Sequence, residues 1–84
     1  MSRLWLVNLE PGTTDDEIRD FLVKYGFPPY DQIEHEQGDG SRPAVMLTFA
    51  GTDPAALGDL QGRINGIHWK KRKISAHVMR DRFA

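Results

Sequence analysis

The residue best placed to do chemistry in this chain is Trp5, in the run Leu4-Trp5-Leu6-Val7-Asn8-Leu9. Alternate side chains of a strand point to opposite faces, so Leu4 and Leu6 share one face while Trp5 and Val7 share the other. With the leucines in a core, the indole stands on an open face as a platform for a planar ligand. Lys70-Lys71-Arg72-Lys73, with Arg80 and Arg82, is a basic run that could track phosphates, although charge runs are more often solvated surface and that reading is favoured here. Arg42 adds a cation at the entry to another strand, and the parity of Lys73 aims it at the open face. His77 is either a second ring for stacking at the sheet's edge or, the commoner case, a solvated edge residue, and Asn8 can bond a base edge or the turn that follows it.

Other chemistry is missing. With no cysteine, there is neither a disulfide framework nor a thiolate metal site. His35, His68 and His77 fall on different elements without close spacing, so no metal site is expected. No nucleophile–base pair, phosphate-cradling glycine loop or usable carboxylate pair is present, which predicts a binding module without cofactor rather than an enzyme.

The elements that must position these groups follow from pattern. Glu10-Pro11-Gly12-Thr13 has the type II turn preference. Thr14-x-x-Glu17 is a capping box, and Ile18, Phe21, Leu22 and Tyr25 form one apolar stripe ended by Gly26 and Pro28-Pro29. Tyr30 to Gln37 reads as an edge strand whose Gln32, Glu34 and Glu36 share the open face and repel phosphate. Gly38-Asp39-Gly40-Ser41 is a hairpin loop. Pro43 to Phe49 is a third strand with Val45, Leu47 and Phe49 inward and Ala44, Met46 and Thr48 outward. Asp53-Pro54 opens a second helix whose stripe is Ala56, Leu57, Leu60 and Ile64, ended by Asn65-Gly66. Arg72 to Met79 is a fourth strand with Ile74, Ala76 and Val78 inward. The order β-α-β-β-α-β with right-handed crossovers predicts an α+β ferredoxin-like sandwich: a four-stranded antiparallel sheet, two helices on one face, first and third strands central.

The 84 residues fit one domain, with a core over 3–79 and a short C-terminal tail at 80–84. No apolar run is long enough to span a bilayer, and the N-terminus does not read as a signal peptide. A cytoplasmic monomer without membrane contact is the expectation. The net charge of −1 hides an asymmetry, since residues 1–41 carry −6 and residues 42–84 carry +5. The positive half could meet phosphates.

The run Leu4 to Leu9, followed by Pro11, Thr14, Ile18 and Phe21-Leu22, resembles the first-strand hexamer and helix of the RNA recognition motif (RRM) family. Ile64-Asn65-Gly66, and Arg72 with Ile74, resemble its closing segment, so the likeness runs from Arg3 to Val78. In that family single-stranded bases stack on aromatics of the two central strands, and the hexamer's second position is here Trp5. The third-strand octamer reads Arg42-Pro43-Ala44-Val45-Met46-Leu47-Thr48-Phe49. Arg42 keeps its basic first position, while Ala44 and Met46 occupy the two aromatic stacking positions.

Base stacking is worth ~1–3 kcal/mol per ring, so losing two platforms costs roughly 2–6 kcal/mol, less what the polarizable Met46 recovers. The resemblance thus implies weak binding of single-stranded RNA or DNA, micromolar or poorer, through Trp5, Asn8, Arg42, Met46, Lys73, His77 and Arg80. The alternative is a protein-interaction module. Some RRM-like domains bind a tryptophan-bearing peptide through an Arg-x-Phe element and an acidic first helix. Asp15, Asp16, Glu17 and Asp20 supply such a helix and Trp69 the aromatic, but Ile67 replaces the arginine, and core packing is the role expected of Trp69.

Overall fold

Ser2–Val7 forms β1, apolar on both faces and therefore suited to the middle of a sheet. The remaining elements are α1 (Asp15–Lys24), β2 (Gln32–Glu36), β3 (Ala44–Phe49), α2 (Pro54–Ile64), β4 (His68–Trp69), β5 (Arg72–Lys73) and β6 (Ser75–Arg80). This computed structural model describes residues 2–36 and 42–80, Arg80 by its backbone alone. The expected loop Gly38-Asp39-Gly40-Ser41, the tail with Arg82, and the side chain of Arg80 lie outside the described residues.

β2, β3, β1 and β6 form one antiparallel sheet in that order, with β1 and β3 central as the pattern predicts. Leu4 stands opposite Leu47 on one side and Val78 on the other, and Leu6 opposite Val45 and Ala76. Leu4, Leu6, Leu47, Val45 and Ala76 form one buried cluster with Ile18, Phe21 and Leu22 of α1 and with Leu57 and Ile64 of α2, and half-buried Val78 packs against it. Each large side chain so buried contributes about 1.5–3 kcal/mol. Both helices thus cover one face, the ferredoxin-like arrangement. Among the described residues no helix is long and apolar enough to cross a membrane.

The helix ends form as their residues dictate. Thr14 Oγ1 accepts the N–H of Glu17, and the Glu17 carboxylate accepts the N–H of Thr14, closing the capping box. At the other end, Gly26 at φ 94° lets Phe27 N–H reach Leu22 O and Gly26 N–H reach Val23 O, the bond pair of a Schellman cap. Phe27 is thereby turned into the core beside Phe49. Asp53 caps α2 through the N–H of Ala55.

Four expectations need correction. The fourth strand does not run from Arg72 to Met79. β4 and β5 form their own two-stranded hairpin, Ile74 interrupts, and only β6 joins the main sheet. The hairpin turns on Lys70 and Lys71, at φ 52° and 68°, the two left-handed residues of a type I′ turn. Lys73 therefore pairs with His68 and does not extend the open face. The second strand begins at Gln32; Tyr30 precedes it and donates its hydroxyl to Asp15 O. Ala56 is exposed, because α2 buries Leu57 and Ile64.

The outer edge of β6 is closed by α2 and its exit. Ala76 N–H donates to Asn65 Oδ1 at 3.0 Å and Val78 N–H to Gln61 Oε1 at 2.9 Å. Side chains occupy donors that would otherwise template another strand.

Candidate nucleic-acid interface

The face of the sheet opposite the helices is ordered by register into three rows. The middle row is Glu34, Met46, Trp5 and His77, each opposite the next across β2, β3, β1 and β6. One flanking row is Gln32, Thr48, Arg3 and Met79. The other pairs Glu36 with Ala44 and Val7 with Ser75. Trp5, Met46 and His77, singled out separately in the sequence, are thus brought side by side.

Trp5 and Met46 are partly buried, while His77 and Glu34 are exposed. Cross-strand neighbours stand about 4.5–5.5 Å apart at Cβ, so indole, thioether and imidazole make one continuous surface. Its centre is apolar and its β2 rim acidic. Beside it, Trp5, Val7, Ala44, Glu36 and Arg42 line an open depression of about 450 Å³. Ala44 is only 5 % exposed although it belongs to this face; a methyl group there leaves the hollow that a larger side chain would fill.

The other candidates are placed differently. Asn8, at φ 70°, donates its amide to Lys73 O at 3.1 Å and accepts from Arg72 Nη1 at 3.2 Å. It ties the end of β1 to the β4–β5 hairpin. Arg72 also pairs with Glu10 at 3.3 Å, and Lys70 with Glu17 at 3.0 Å, so half of the four-residue basic run holds the fold together. Lys71 and Lys73 are exposed, with the Lys73 stem lying over Gly66. The hydrogen bond from Thr14 N–H, and then Lys70, hold the Glu17 carboxyl below the usual carboxylate range. Arg42 is exposed at the entry to β3.

On the helix side, Trp69 stacks on Phe21 with centroids 4.3 Å apart, and Phe21 meets Tyr25 edge-on at 5.3 Å. Trp69 therefore packs against the core, as expected. His35 lies on the helix side of β2 and bonds Asp15 at 2.5 Å. No cluster that could hold a metal ion occurs among the described residues.

Sequence reasoning missed two features of this face. Arg3 stands on this face by the same period-two parity as Trp5 and Val7. The meeting of Glu36 with Arg42 depends on the register that sets Glu36 opposite Ala44, which the intervening residues do not reveal.

No family model matches the chain, and no curated protein sequence does either. Solved structures do. The third RRM of Pes4 is 19 % identical and superposes with a TM-score of 0.78 over 100 % of this chain and 98 % of that one. The RRM of Rna15 with bound GU RNA is 15 % identical, with a TM-score of 0.66 over 89 % and 79 % of the two chains. The first RRM of Plasmodium falciparum SR1, in complex with ACAUCA RNA, is 17 % identical, with a TM-score of 0.62 over 92 % and 82 %. With its sheet order and its two helices on one face, this chain has the fold of the RNA recognition motif.

Proposed function

We propose that the chain binds single-stranded RNA on its open sheet face, weakly, with Trp5 as the stacking anchor. The observation that carries this reading is the row Met46–Trp5–His77, a partly apolar surface running from the centre of the sheet to its β6 edge, on a sheet whose reverse side is sealed by helices. Every base has a π-face, so stacking on Trp5 tolerates many sequences. Met46 is the soft second surface and His77 a third contact. Arg42 and Arg80 supply the proposed positive charge at this face, and Asn8 acts by holding the end of β1; Lys73, paired in the β4–β5 hairpin, is set apart from it. The presence of RNA on the similar Rna15 and SR1 domains supports the same reading.

Weakness follows from Ala44 and Met46, which supply no ring, and from Glu34 and Glu36, which repel the backbone. Fluorescence anisotropy with a labelled single-stranded octanucleotide tests the reading. Micromolar or weaker binding that fades with salt and is lost in Trp5→Ala is expected. Unchanged binding by Trp5→Ala overturns it.

A protein-interaction module is the second reading. It draws on the hollow lined by Glu17, Asp20, Phe21, Lys24, Tyr25 and Trp69 beside acidic α1. There the Trp69 ring is already stacked on Phe21, which makes it the weaker reading.

A further inference from the structure

An acidic side chain on a face that meets phosphates calls for a physical reason, and Glu36 has a specific setting. It stands opposite Ala44 at the end of β2, on the rim of the depression lined by Trp5, Val7, Ala44 and Arg42. Neither the Glu36 carboxylate nor the Arg42 guanidinium has a hydrogen-bond or ion-pair partner among the described residues. The walls are apolar: the methyl of Ala44, the branched side chain of Val7 and the indole of Trp5. At about 450 Å³ the hollow falls within the ~300–1,000 Å³ range of small-ligand sites.

We propose that this depression receives a guanine base of the bound strand and that Glu36 selects it. The inference rests on the RNA-binding reading and adds base preference to it. A carboxylate only accepts and a guanidinium only donates. The base that satisfies both must present paired donors on one edge and paired acceptors on another. Guanine does so, with N1–H and N2–H₂ on its Watson–Crick edge and O6 and N7 on its Hoogsteen edge. Adenine and cytosine set one amino donor beside an acceptor, and uracil sets one N–H between two acceptors. Each leaves an acceptor facing the carboxylate.

The charge of Glu36 then has a purpose. It repels the phosphate backbone of every strand and is compensated only where two base N–H groups reach it, so it discriminates by penalising the wrong base. Arg42 donates to O6 and N7, while Trp5 and Val7 carry the base plane. Ala44 leaves the space that an aromatic side chain would occupy.

The test is a panel of labelled hexanucleotides, all uridine except for one guanosine, adenosine, cytidine or inosine at the third position, measured by anisotropy against the full chain. The guanosine strand is expected to bind roughly ten-fold tighter than the adenosine and cytidine strands. Inosine lacks the N2 amino group and should fall several-fold short of guanosine; this arm does not depend on any protein variant. Glu36→Gln should reduce the guanosine advantage to about two-fold or less while the all-uridine strand binds as well or better, since a repulsive charge has gone. Equal, Trp5-dependent affinity for all strands overturns the guanine site and leaves the RNA-binding reading standing. A guanosine preference that survives Glu36→Gln overturns the role of Glu36. Absence of binding by every strand overturns both.

Discussion

Trp5 on β1 stands directly opposite Met46 on β3, with His77 as its neighbour on the other side. A base stacked on the indole therefore also overlies the thioether. Met46→Phe puts a second ring beside the first at a partly exposed position. Stacking of ~1–3 kcal/mol per ring predicts binding tighter by roughly ten-fold, measured by anisotropy with a single-stranded octanucleotide. An unchanged dissociation constant would show that the strand does not pass over β3.

The two tryptophans lie on opposite sides of the sheet. Trp69 stacks on Phe21 at 4.3 Å and joins the core on the helix side. Trp69→Ala should destabilise the fold by about 2–3 kcal/mol in urea unfolding, from lost burial and a lost aromatic pair. The folded variant should keep its RNA affinity within about two-fold, because the indole faces away from the proposed site.

Gln61 closes the edge of β6 by accepting the N–H of Val78 at 2.9 Å. Gln61→Ala leaves that donor without its partner and should cost about 1–2 kcal/mol of stability. Hydrogen exchange reads it locally: the Val78 amide should exchange faster, while Leu4 and Leu47 amides in the middle of the sheet change only by the global loss.

The elements governed by local chemistry were legible in the sequence. Thr14 and Glu17 spell a capping box, Gly26 a left-handed stop, and Asp53-Pro54 a helix start, and each forms as written. The period-two alternation of β1 and β3 separated the core leucines from Trp5 and Met46. The hairpin of β4 and β5 was hidden, because its turn uses Lys70-Lys71 where Asn-Gly is the usual signal. Lys70 is held by Glu17, a residue far away in the chain, and no local rule anticipates that. Likewise Asn8 and Arg72 read as candidates for ligand contact, yet each is joined to the other by a bond across the fold. Long-range register and polar pairing are tertiary facts, and a strand's own residues do not encode them.

Acid should loosen the first helix through Glu17. Its carboxyl titrates below the ordinary range because Thr14 N–H and then Lys70 favour the charged form. A depressed folded-state value means that the contribution is fully present above the unfolded glutamate value, ~4.3. It is lost as pH falls through the lower folded value. Carbon-detected NMR titration should place the Glu17 midpoint below those of exposed glutamates, and Lys70→Ala should move it part of the way back. A midpoint equal to theirs would contradict the cap geometry.

On the proposed reading, nucleotides meet the face carrying Trp5 and leave the helix side untouched. The indole N–H signals of Trp5 and Trp69 report the two sides of one molecule, so a single ¹⁵N-labelled sample titrated with a single-stranded octanucleotide decides between them. The Trp5 indole should move together with the amides of Met46 and His77, and these shifts should shrink as salt rises. The Trp69 indole and residues 15–25 should stay in place. Shifts confined to Trp69 and residues 15–25, or none at millimolar RNA, would contradict it.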